Sequence, residues 1–290
     1  MKIRSHLLAA VSLAVITFNL LLWLIPLVLL AGLKLIGLGT VVRADPVMDA
    51  IYRAAVRVDD AWLRGVLGIR WSRPELGLAR DRSYVLIANH RSWADIFPIQ
   101  SVVVGEGPLV KFLTKRELVY LPILGTIFWA FDFPLLRRAG SSDRVGEASR
   151  RADIEALRAA CEVMRDRPAA LMNFAEGTRF TAEKHAASQS PFRHLLRPRA
   201  GGLLAVIEAL DEHVEAIVDL TLIYPGDAAS FWRFLAGAVP TIDVQAERIP
   251  IGAIPRDREG LDEWLSQRWA EKDSRIERAR RQRAEAPAAS

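Results

Sequence analysis

From Leu7 to Leu33 the chain runs 27 residues without a charged side chain, and after Lys34 the apolar character resumes as far as Val42. About 20 apolar residues in helical form cross the hydrocarbon core of a bilayer, so a run of this length is read as a membrane segment. A secretory signal peptide would also begin with basic residues such as Lys2 and Arg4, but its apolar core is shorter and ends in a small-residue cleavage site that is not evident here. Residues 1–42 are therefore expected to form a membrane anchor. Lys2 and Arg4 precede the run and Lys34 and Arg43 follow it, so flanking charge gives no clear orientation for a single span. Equal flanks suit a hairpin in which Asn19 and Pro26 divide the run into two short helices that enter and leave one leaflet. A single span is the alternative.

The remainder is long enough for one well-buried domain and too short for a second full one. Residues 43–72 are expected to connect anchor and domain. Asp45 is placed to cap a helix there, Pro46 sits at a first helical position, and Met48, Ile51, Ala55, Val58, Trp62 and Val66 recur at helical spacing to Leu67. Residues 73–258 alternate apolar strand-like runs with helical patterns, which argues for an α/β sandwich around a mostly parallel sheet. Strands are expected near 83–88, 109–113, 169–174, 216–223 and 241–246, and helices near 94–103, 116–129, 145–167 and 200–211. Residues 259–290 read as an amphipathic helix from Leu261 to Trp269 followed by a basic tail, expected as a solvated, partly frayed helix or as a segment weakly attracted to anionic lipid, with disorder from Ala286. The formal charge of +5 suits an anionic partner, and the apolar segment favours a membrane or a phosphorylated lipid over nucleic acid. Cys161 is the single cysteine, so no intrachain disulfide is possible, and its helical apolar setting reads as core.

Tyr84-Val-Leu-Ile-Ala-Asn-His-Arg-Ser-Trp-Ala-Asp95 ends an apolar run with a histidine and, five residues later, an aspartate. An imidazole titrates near neutrality, and a carboxylate beside it fixes its tautomer and stabilises its charged form. Positions five apart differ by about 140° on a helix, so the two cannot meet from one regular helix. They can meet if 84–88 is a strand, 89–93 a turn and Asp95 the start of a helix that Ser92 caps. Two further patterns accompany this one: Lys115-Arg-Glu-Leu118-Val-Tyr-Leu-Pro122-Ile-Leu-Gly125, and Glu176-Gly177-Thr178-Arg179 behind an apolar run.

With these three motifs in this order, residues of roughly 80–225 resemble the glycerolipid acyltransferase superfamily, and within it the membrane-bound 1-acyl-sn-glycerol-3-phosphate (lysophosphatidate) acyltransferases. The resemblance implies transfer of a fatty acyl group from acyl-CoA or acyl-carrier protein to the sn-2 hydroxyl of lysophosphatidate, with no metal and no cofactor. It implies that His90 is the general base and Asp95 its orienter. It further implies that Lys115, Glu176, Gly177, Thr178 and Arg179 bind the glycerol phosphate, with Arg199 of the basic 191–202 loop beside them. Arginine suits that task because its planar fork matches phosphate oxygens. Ile223-Tyr224-Pro225 resembles a fourth family block related to acyl-chain or donor binding. Attachment to the membrane, with the catalytic domain facing the cytoplasm, is expected.

Three alternatives stay open on the sequence. The acceptor could be another lysophospholipid. A covalent route through Ser92 has no G-x-S-x-G pattern behind it. A non-catalytic lipid-binding protein of this fold would have no need for both His90 and Asp95. His185, His194 and His213 read as solvated histidines. Phe128 to Phe133 reads as core, and Phe231 to Leu235 suits a membrane-interface belt or core equally.

Overall fold

Alternation along Ser83–Ala88 (β2) sets the architecture, because all six of its residues are buried. Tyr84, Leu86 and Ala88 face one apolar layer, and Val85 and Ile87 face the other. A strand covered on both faces reads as a continuous apolar run, which is why it was visible in the sequence. The other expected strands form as Leu109–Phe112 (β3), Ala169–Phe174 (β6), Val214–Ile223 (β7) and Thr241–Pro250 (β8). With Arg70–Trp71 (β1) at one edge, they give a six-stranded sheet of order β1-β8-β7-β2-β6-β3. Every pairing in it is parallel except β7 with β8. Thr114–Lys115 (β4) and Leu135–Leu136 (β5) make a separate two-stranded ribbon. The α/β sandwich with a mostly parallel sheet is therefore the observed fold.

The computed structural model describes the chain except for residues 1–2, 39–43, 132, 134, 137–154, 156–157, 159–163, 165–166, 211–212, 227–229 and 286–290, and the side chains at 34, 44, 115–117, 122 and 135–136. The helix expected over 145–167, including Cys161, and the disorder expected from Ala286 fall largely or wholly outside the described residues.

Eight α-helices are described: Ile3–Leu35 (α1), Ala44–Asp60 (α2), Ile96–Glu106 (α3), Pro122–Ala130 (α4), Ala182–Ser188 (α5), Ala200–Leu210 (α6), Phe231–Leu235 (α7) and Arg258–Glu285 (α8). Helices α2 and α3 cover the Tyr84 face of the sheet through Met48, Tyr52, Ile99 and Val103. Helices α6 and α8 cover the Val85 face through Val206, Leu261, Leu265 and Trp269. The C-terminal segment is thus a 28-residue helix bound to the sheet, and the solvated, frayed character expected beyond Trp269 is corrected, since Lys272 and Ile276 are buried. The reason is a buried charge cluster. Arg268 Nε donates to Asp219 Oδ2 at 2.8 Å, and the Lys272 ammonium, 1 % exposed, pairs with the same aspartate and with Leu220 O.

The division of 3–35 into two short helices is also corrected: α1 is one helix with Pro26 inside it. Asn19 does not break it because its amide is satisfied, donating to Ala55 O and Asp59 Oδ1, both at 2.9 Å, and accepting from Trp23 Nε1. Proline removes one helical hydrogen bond, and a helix of this length bears that loss. The return leg is α2. Asn19 meets Asp59 although α1 ends at Leu35 and α2 begins at Ala44, so the two helices run antiparallel. A stripe of Ala9, Ser12, Ile16, Asn19, Leu27 and Ala31 is buried against α2, α4 and α7, while Leu7, Val11, Phe18, Leu22, Ile25 and Leu29 face outward. Among the described residues α1 is the one helix long and apolar enough to cross a membrane.

Candidate active site

The turn after β2 brings His90 and Asp95 together as the sequence required. Ser92 caps the 3-10 turn Trp93–Asp95, its hydroxyl accepting from Ala94 N, and α3 follows at once. His90 Nδ1 lies 2.8 Å from Asp95 Oδ2. That oxygen also accepts from Arg91 N at 2.7 Å and Ser92 N at 3.0 Å, and Asp95 is fully buried. Oδ2 serves these donors as an acceptor, so the imidazole presents an N–H at Nδ1 and its lone pair at Nε2. The ring stacks on Phe174 with centroids 3.9 Å apart. Asn89 locks the turn to β7 by a two-way bond with the backbone of Leu222, at 2.8 and 2.9 Å.

Tyr224 completes the aspartate's shell, and sequence reading missed this role. Its hydroxyl donates to Asp95 Oδ1 at 2.5 Å. Burial first, and then the aspartate's charge and the hydrogen bond to it, hold the phenol pKa well above its ordinary value, so the group remains a donor. A hydrogen bond to a charged group contributes about 1.5–3 kcal/mol. Tyr224→Phe should therefore lower kcat about tenfold with both KM values little changed, a split that steady-state kinetics reads directly.

The second motif residue group assembles beside the first. Gly177 has φ +67°, a conformation glycine adopts without strain, and its N–H donates to Phe174 O in a tight turn. The Arg199 side chain lies over Gly177, and Arg199 N donates to Ala175 O. The Arg179 guanidinium stacks on the exposed Trp93 ring, 4.9 Å from its centroid. Among the described residues, neither Arg179 nor Arg199 gives its guanidinium a hydrogen-bond or ion-pair partner. Lys184, which the sequence reading passed over, donates to Thr178 Oγ1 at 2.6 Å and to Arg179 O at 3.2 Å. The Lys115 backbone follows β3 on the same end of the sheet; its side chain lies outside the described residues.

Glu176 is placed differently from a substrate ligand. Its side chain is 2 % exposed and turns inward, accepting from His90 N and Leu196 N, each at 3.4 Å. Burial pushes its pKa up to about 8 from an ordinary 4.5, against the two backbone donors. Between pH 4.5 and about 8 the folded chain holds a proton that the unfolded chain has released, so this group lowers stability as pH rises through that window. Glu176→Gln removes the titration, and the fall in Tm between about pH 5 and pH 8 should be smaller in the variant.

His194 is likewise not solvated. It is buried, with Nε2 2.7 Å from Glu277 Oε2, and its N–H donates to Asp273. Arg91 donates to His194 O, so α8 holds the loop that leads to Arg197 and Arg199. Among the described residues, no three His, Cys, Asp or Glu side chains could hold a metal ion.

Residues 73–224 match the family described as Acyltransferase, and residues 233–278 match one described as Acyltransferase C-terminus. The chain belongs to the acyltransferase family. Its relatives include 1-acyl-sn-glycerol-3-phosphate acyltransferase 3 of Arabidopsis thaliana, 26 % identical over 80 % of this chain and 63 % of that protein. The 1-acyl-sn-glycerol-3-phosphate acyltransferase gamma of Mus musculus is 30 % identical over 70 % of this chain and 57 % of that protein. Lysocardiolipin acyltransferase 1 of Danio rerio is 26 % identical over 80 % of this chain and 61 % of that protein. The chain thus spans about three fifths of the length of these relatives. The fold is that of the 1-acyl-sn-glycerophosphate acyltransferase of Thermotoga maritima, at a TM-score of 0.50 and 14 % identity over 90 % of this chain and 98 % of that one.

Proposed function

We propose that this protein transfers a fatty acyl group from acyl-CoA or acyl-carrier protein to the sn-2 hydroxyl of 1-acyl-sn-glycerol 3-phosphate, giving phosphatidate. The observation that carries the reading is a His90–Asp95 dyad on the same sheet end as an arginine, with His90 Nε2 and the arginine's donors all without a partner among the described residues. Nε2 takes the acceptor's hydroxyl proton as its oxygen attacks the thioester carbonyl. Asp95 stabilises the imidazolium. Collapse of the tetrahedral adduct breaks the C–S bond, and the departing thiolate takes the proton back from His90. Arg179 holds the acceptor phosphate, with Arg199 and Lys115 beside it. The scheme calls on no metal or cofactor. Purified protein given labelled acyl-CoA and a panel of lysophospholipids, with His90→Ala as blank, tests it: acylation of lysophosphatidate is expected. Preference for lysocardiolipin or another lysophospholipid would replace the acceptor, and no acyl transfer at all would remove the enzyme reading.

The outer face of α1 supports a site at a membrane surface, on the reading that α1 lies in one leaflet. Antiparallel α2 carries Asp49, Arg53, Arg57, Asp59 and Asp60 and would have to follow α1 into hydrocarbon if α1 crossed it, which is costly for that many charges. Exposed Tyr120, Leu121, Trp129 and Trp232 flank the same surface. With Cys161 replaced by alanine, Ser5→Cys and Ala44→Cys should be labelled from the same side of sealed vesicles. Labelling from opposite sides would mean a crossing.

A further inference from the structure

A second polar cleft, of about 630 Å³, opens between α2 and the C-terminal half of α3. It is separate from the dyad, since Ser101 to Gly105 lie roughly 9–15 Å along α3 from Asp95 at a rise of 1.5 Å per residue. Four arginines line it, Arg53, Arg57, Arg64 and Arg73, against one carboxylate, Asp60. Two of the four are committed. Arg53 is buried and donates to Val104 O at 2.6 Å and Gly107 O at 3.0 Å, which satisfies the carbonyl end of α3 and cancels its repulsion of an anion. Arg73 pairs with Asp60 and donates to Ser101 Oγ. Arg64 lies 3.7 Å from Asp60 and stacks on Trp71, which leaves part of its fork open. Arg57 is exposed and, among the described residues, has no partner.

The backbone is shaped to the same end. Directly after α2 the chain takes a π-helical turn, Ala61–Val66, that sets Arg64 and Gly65 into the wall of the cleft. Such turns are uncommon and recur at functional sites. A side chain added at Gly65 or Gly105 would meet nothing within 4 Å, so the cleft is open there. Val56 and Val104 supply an apolar strip beside the arginines.

We infer that this cleft binds a phosphate group, held by Arg57 and Arg64 with the Ser101 hydroxyl beneath. Guanidinium forks match phosphate oxygens, and an apolar strip next to them suits a ligand that carries carbon as well as charge. Two sources share this chemistry: the headgroup of an anionic bilayer lipid, and the phosphates of coenzyme A.

Calorimetry on the full chain in neutral maltoside micelles separates them, using dihexanoyl-phosphatidylglycerol and coenzyme A as probes. The background is His90→Ala with Arg179→Ala, which silences the catalytic phosphate contact. One probe should still bind saturably there. Arg57→Glu should weaken that binding about tenfold or more. Gly105→Glu, which puts a carboxylate into open space and improves helix propensity, should do the same without loss of Tm. Binding of the lipid alone assigns the site to membrane headgroups, and binding of coenzyme A alone assigns it to the donor. Absence of saturable binding in this background, or affinity unmoved by both glutamates, overturns the inference.

Discussion

His90→Ala should lose about 10²- to 10⁴-fold in kcat, the range that a positioned general base contributes. The fold should survive the change, because three donors besides the imidazole hold Asp95: the N–H groups of Arg91 and Ser92 and the Tyr224 hydroxyl. Lost activity with an unchanged melting profile is the expected pair of results, read by single-turnover kinetics and calorimetry. KM for lysophosphatidate should stay near wild type, since the phosphate contact lies elsewhere. Wild-type-like kcat would show that the proton leaves by another route.

Arg179→Ala should raise KM for lysophosphatidate by about one to two decades, because charge-assisted hydrogen bonds contribute about 1.5–3 kcal/mol each. KM for acyl-CoA should hardly move. The guanidinium is parked on Trp93 and pairs with no carboxylate among the described residues, so its removal should cost little stability. Arg179→Lys should restore only part of the loss, since a point ammonium cannot make the two-pronged contact. If the acyl donor is weakened and the acceptor spared, this arginine serves the other substrate.

Strands β2 and β6 could be placed from sequence to the residue because burial on both faces leaves them apolar except for Ser83 and Asn173. The edge was harder. Strand β8 continues to Pro250 through Gln245, Glu247 and Arg248, residues whose polarity hides a strand that is covered on one side only. Two-residue β1, β4 and β5 have no pattern to show. The dyad was readable because its partners are five residues apart, whereas Tyr224 reaches Asp95 across 129 positions. Glu176 was read as facing substrate, and only the packed loops show that it faces the His90 and Leu196 amides instead. In α8, Arg268 and Lys272 look like surface charges until Asp219, about fifty residues earlier, is seen beneath them.

The clamp between α8 and the 190–197 loop also imposes an order in time. A growing chain makes α1 before the dyad's own loop. His90 and Asp95 follow, yet Tyr224, which closes the aspartate's cradle, is translated 129 residues after Asp95. Asp273 and Glu277, which tether Arg193 and His194, come later still. The site is therefore completed only after α8 has been made, because that helix sets the arginine loop in place.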